Sequence, residues 1–138
     1  MPNVRKDRIL IIDDDVSFLE NTRILLLMEG YAPQIAEDAV EGGKALLAEK
    51  PDLILSDINM PYMDGLELLT LLRSTEDTKS IPVILVSGRS DIKTLGTASQ
   101  LGAADYLIKP VTRERMLDSI KNCLKKLNGE LPTISKEV

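Results

Sequence analysis

Four short apolar stretches dominate the chain: Ile9-Leu10-Ile11-Ile12, Leu53-Ile54-Leu55, Val83-Ile84-Leu85-Val86 and the less pure run closing on Tyr106-Leu107-Ile108. A strand that is apolar on both faces has to be covered on both, and a parallel sheet between two layers of helices does this. The segments between the runs supply the helices. Strands are expected over roughly 8–13, 32–36, 52–57, 82–87 and 103–108, and amphipathic helices near 16–29, 38–49, 64–74, 91–101 and 112–127. Ala32-Pro33-Gln34-Ile35-Ala36 is short and carries a proline, which suits an edge strand. Five β/α repeats without a long loop predict an α/β fold, a doubly wound five-stranded parallel sheet with helices on both faces. In such sheets ligands sit beyond the carboxyl ends of the strands, where strand order reverses. With the order 2-1-3-4-5, strands one and three flank that point as neighbours about 4.8 Å apart.

Local signals agree. The first helix has two available starts, Asp15 as an N-cap or Ser17 with Glu20 as a capping box, and Gly30 ends it. Asp64 reads as the cap of the third helix. Met116, Leu117, Ile120, Leu124 and Leu127 form one apolar stripe on the last helix, and Cys123 sits on its core side. Thr94-Leu95-Gly96-Thr97-Ala98-Ser99 is rich in poor helix formers, so local mobility is expected there. The stretch 128–138 has no periodicity and reads as a tail or linker stub after a domain over 7–127.

Several function classes fall away. At 138 residues and 43% apolar content the chain is one domain with a real core. A net charge of -5 without a basic stripe argues against direct nucleic-acid binding. The lone Cys123 has no intrachain partner, which points to a reducing compartment. With no histidine, His-metal sites, Ser-His-Asp triads and a phospho-histidine donor within the chain are excluded. The polar start, Met1 to Arg8, is no signal peptide, and no run approaches a membrane span; a cytoplasmic protein without membrane contact is expected.

The chemistry collects at the strand ends. Asp13-Asp14-Asp15 close the first strand and Asp57 the third, while Ser87 and Lys109 close the fourth and fifth. Carboxylates gathered at one rim repel each other unless a cation sits among them. A hard ion such as Mg²⁺ takes oxygen ligands and is held by one or two carboxylates. Asp14 and Asp57 can supply these directly, Asp13 partly through water, and the backbone carbonyl of Asn59 a further oxygen. Phosphoryl transfer needs this setting of positioning plus charge neutralisation. Asp57 can act as nucleophile to give an aspartyl phosphate. Lys109 supplies a point charge and Ser87 a hydroxyl for the phosphoryl oxygens.

Asp13-Asp14, Asp57-Ile58-Asn59-Met60-Pro61-Tyr62-Met63-Asp64-Gly65, Ser87-Gly88 and Lys109-Pro110, in this order and spacing, resemble the receiver domain of two-component response regulators. The resemblance covers about residues 7–127 and implies a flavodoxin-like fold of order 2-1-3-4-5. It implies a phosphorylation-dependent signalling switch, with Asp57 as phosphoacceptor and a histidine kinase or histidine phosphotransfer protein as donor. Asp13 and Asp14 would bind Mg²⁺ with Asp57, Lys109 would contact the phosphate, and Ser87 and Tyr106 would be the switch pair. The Lys109-Pro110 bond would be cis. Such a domain is no enzyme beyond catalysing its own phosphorylation and dephosphorylation. Its readout is an effector protein or a C-terminal output domain, and some members form homodimers on phosphorylation. Serine at 87 and glycine at 88, where threonine and alanine are commoner, bear on switching amplitude; Asn59 and Arg89 occupy positions that tune hydrolysis.

Three other functions compete. A haloacid-dehalogenase-type phosphohydrolase wants a second aspartate where Asn59 stands. A flavodoxin-like cofactor carrier wants a Ser/Thr/Gly phosphate loop where Asp13-Asp14-Asp15 would repel phosphate. A phosphorylation-independent interaction module normally lacks part of the acid and lysine set, which is intact here. The chain stops one tail past its last helix, so it is expected to be either a stand-alone receiver or the first part of a longer regulator.

Overall fold

The computed structural model describes residues 5–88 and 92–127, without the side chains of Ile92, Lys126 and Leu127. Arg89, the tail 128–138 and residues 1–4 therefore lie outside the described residues, as does the side chain of Leu127 in the last apolar stripe. Elements alternate: β1 (Arg8–Ile12), α1 (Val16–Met28), β2 (Ala32–Ala36), α2 (Ala39–Ala48), β3 (Leu53–Asp57), α3 (Gly65–Arg73), β4 (Val83–Ser87), α4 (Ile92–Gln100), β5 (Asp105–Ile108) and α5 (Arg113–Leu127). All strand pairs are parallel, in the order β2-β1-β3-β4-β5, as expected for a doubly wound sheet. The strand with Pro33 is indeed at an edge.

Successive side chains of a strand point to opposite faces, and the two cores divide that way. Ile9, Ile11, Leu53, Leu55, Ile84 and Val86 pack with Leu19 and Leu26 of α1 and with Met116, Leu117, Ile120, Cys123 and Leu124 of α5. Leu10, Ile12, Ile54, Val83 and Leu85 pack with Ala45 of α2, Leu68, Leu69 and Leu72 of α3 and Ala98 of α4. The central strands are therefore apolar along Leu53–Leu55 and Val83–Val86, where each face meets its own helical layer.

Helix α1 starts at Val16, and its N-cap is Asp15, whose carboxylate accepts from the Phe18 amide at 3.1 Å. The alternative Ser17–Glu20 box does not form. Ser17 lies inside the first turn, and Glu20 pairs instead with Arg23. Gly30, at φ +90°, ends the helix in the left-handed conformation that glycine adopts without a Cβ clash. Its amide bonds Leu27 O, and that of Tyr31 bonds Leu26 O, so two terminal carbonyls are satisfied. Asp64 caps α3 in a full capping box with Glu67. Among the described residues no helix is long and apolar enough to cross a membrane.

Arg73, at the end of α3, ties the α3–β4 loop to the α4–β5 loop. Its guanidinium donates to the carbonyls of Ile81 at 2.8 Å, Lys79 at 3.3 Å and Gly102 at 3.1 Å, and burial holds its pKa below the usual value. Arg73→Met keeps the stem but leaves these carbonyls without that donor. It should lower stability by about 1–3 kcal/mol, read as a shifted urea midpoint with unchanged slope.

Candidate functional site

Strand register decides which side chains meet. Ile12 pairs with Ser56 and Asp57 with Val86, so Asp13 and Asp57 leave adjacent strands at the same rim. Oxygens of Asp13, Asp14 and Asp57 lie within 4.8 Å of one another. Asp13 and Asp57 are buried, while Asp14 is exposed. Asp15 turns away to cap α1, as the sequence allows.

Lys109 brings the opposite charge. Its Nζ lies 2.8 Å from Asp13 Oδ2 and 4.4 Å from the centroid of the Phe18 ring. Its amide donates to Ser87 O at 2.8 Å, which joins the ends of β4 and β5. The Lys109–Pro110 bond is cis. The Ser87 side chain is fully buried at this rim. Tyr106 is half-buried against the core under α2, α3 and α4, and its amide donates to its neighbour Asp105 at 2.7 Å. Asn59 is exposed, and its amide reaches Asp57 Oδ1 at 3.3 Å. The structure thus brings Asp13, Asp14, Asp57, Asn59, Ser87 and Lys109 to one rim. Tyr106 sits on β5, three residues before Lys109.

Asp13 is the most constrained of the acids. Its Oδ1 accepts the Asp15 amide at 2.9 Å. Its Oδ2 is buried and receives no hydrogen bond from any described residue; Lys109, although 2.8 Å away, approaches outside hydrogen-bonding angles. A buried carboxylate oxygen with an open lone pair, beside two further carboxylates, fits a hard cation with oxygen ligands. The electrostatics of Asp57 agree. Burial first, and then the Asp13 charge, push its pKa up to about 6, with Lys109 and the amides of Asn59 and Ile58 pulling the other way.

Two contacts were not legible in the sequence. The Phe18 ring under Lys109 is one; an aspartate cap three residues earlier was its only local signal. The other is Gly65, where a Cβ would lie 2.4 Å from Asp57 O and 2.8 Å from Ile58 Cα. Its amide donates to Ile58 O at 2.7 Å, closing the loop that follows Asp57.

The sequence matches the family described as "Response regulator receiver domain" over residues 9–121. It is 34% identical over 123 residues to the response regulator MprA of Mycobacterium avium, covering 89% of this chain and 53% of that protein. The chain thus spans about half the length of the curated relatives it matches. A CheY-like receiver domain protein from Methanospirillum hungatei JF-1 superposes with a TM-score of 0.84 at 34% identity, over 91% of this chain and 98% of that one. The signal receiver domain of an HD domain-containing protein from Pseudomonas fluorescens Pf-5 gives a TM-score of 0.84 at 27% identity, covering 94% of each chain.

Proposed function

This chain belongs to the response regulator receiver family, a phosphoacceptor regulatory module rather than an enzyme with a separate substrate, and from that premise we propose that Asp57 carries the phosphoryl group. The supporting observation is the meeting of Asp13, Asp14 and Asp57 within 4.8 Å, with Lys109 against Asp13. A haloacid-dehalogenase reading has no acid for its second step, since Asn59 stands there.

Asp13, Asp14, Asp57 and the Asn59 carbonyl would hold Mg²⁺. When bound, the ion offsets the carboxylate repulsion and the charge of the moving group. An Asp57 oxygen bonds to phosphorus as the phosphorus–nitrogen bond to a donor imidazole breaks, and the electron pair of that bond stays with the leaving imidazole. Lys109 neutralises a phosphoryl oxygen, and the Ser87 hydroxyl donates to another. Tyr106, on β5, is the aromatic partner of Ser87 in the switch. The donor is a histidine kinase or histidine phosphotransfer protein of the same cytoplasm. The readout is a downstream effector or an output domain, with phosphorylation-dependent pairing of two copies as a further form.

Intact mass spectrometry with Mg²⁺ and acetyl phosphate tests this. Wild type should gain one phosphoryl mass, and a protein that gains none would remove the reading. Metal binding should also follow Asp57. Its proton competes with the cation, so Mg²⁺ affinity should fall up to about tenfold per pH unit below pH 6 and level off above it. Titrations from pH 5 to 8 check the slope, and a flat profile contradicts it.

A further inference from the structure

Phe18 is the sole phenylalanine of the chain, and it occupies the first turn of α1. The Asp15 cap holds its amide at 3.1 Å. Its ring packs partly buried against the α1/α5 core and lies under the Lys109 ammonium, 4.4 Å from Nζ to the ring centroid. That ammonium also meets Asp13 Oδ2 at 2.8 Å, but outside hydrogen-bonding angles. Lys109 is thus restrained from two sides, by a carboxylate and by a ring face.

A lysine stem is flexible and its ammonium strongly hydrated, so a point charge on it is poorly placed unless something restrains it. A ring face attracts an ammonium within about 6 Å of its centroid. We propose that Phe18 is a positioning residue for Lys109, keeping the ammonium on the Asp13 side of the pocket, where it meets the phosphoryl oxygens arriving at Asp57. Asp15, the acid left over from the carboxylate cluster, caps the helical turn that carries this ring. A leucine would refill the volume but offers no quadrupole. The inference rests on Asp57 being the phosphoacceptor.

The test follows acetyl phosphate loading with Mg²⁺ by intact mass. It uses wild type, Phe18→Leu, Phe18→Met and Phe18→Tyr, each alone and combined with Lys109→Gln, at temperatures where unfolding curves show every variant folded. Phe18→Leu and Phe18→Met should slow loading roughly 3- to 10-fold. Phe18→Tyr, which keeps the ring face, should stay within about twofold of wild type. In the Lys109→Gln background the Phe18 changes should have no further effect. Equal or faster loading by both apolar variants overturns the proposal. So does a Phe18→Tyr as slow as Phe18→Leu, or the same slowing in both backgrounds, which would mean the ring acts through packing alone. Wild type that takes up no phosphoryl group defeats the proposed function itself; wild type that loads while the apolar variants keep pace defeats only the role of Phe18.

Discussion

Asp57→Asn should abolish phosphoryl uptake, with loading down by at least ~10³-fold and no mass gain, because an amide has no carboxylate oxygen to attack phosphorus. The same change should make the fold more stable at neutral pH. The Asp57 pKa is raised from 3.8 to about 6 by burial and by the Asp13 charge. Well below pH 4 the group is protonated in folded and unfolded chains alike. As pH rises from about 4 to 6 the unfolded chain gives up this proton first, so wild type loses stability over that window and the loss is complete above it. Asparagine removes the titration. The two proteins should differ little at pH 4, and at pH 8 Asp57→Asn should be more stable by about 1–3 kcal/mol. Urea unfolding at both values decides. A variant that still gains phosphoryl mass means another side chain is modified, and one less stable at pH 8 means the carboxylate is not under strain.

Gly65→Ala should be the most damaging small substitution near the pocket. Its methyl would lie 2.4 Å from Asp57 O and 2.8 Å from Ile58 Cα, and both are backbone atoms that no rotamer change can move aside. The chain has to shift where Asp57 leaves β3, and the Gly65 amide bond to Ile58 O at 2.7 Å resists that shift. A cost of about 2–4 kcal/mol is expected, or roughly a 5–15 °C lower Tm. Acetyl phosphate loading should slow as well, since the displaced segment includes the Asn59 amide that meets the Asp57 carboxylate. A Tm within about 2 °C of wild type would mean the loop yields freely.

Most of the architecture was readable because each apolar run demanded cover on both faces, and only a sheet between helices provides it. Pro33 marked the edge, and the polar ends of four strands marked the rim. The start of α1 was less legible, because Asp15 and Ser17 are both good caps two residues apart. A longer-range demand decided it: Asp13 turns into the pocket and accepts the Asp15 amide, which leaves Asp15 at the helix entrance. The Phe18–Lys109 contact joins residues 91 positions apart, and such distant pairs leave no local periodicity. Tyr62, in the left-handed region at φ 71° and well exposed, was equally hidden, since nothing in an aromatic side chain announces a conformation it disfavours.

The pairing of Lys109 with Asp13 also determines how the pocket balances charge. Three carboxylates and one ammonium leave it two negative charges, which one divalent ion cancels. An acyl phosphate puts close to two negative charges where the ionised Asp57 had one. The modified pocket is therefore about one positive charge short. With Asp13 and Asp57 buried, water would screen that deficit poorly, and hydroxyl or amide donors brought to the phosphate would offset it.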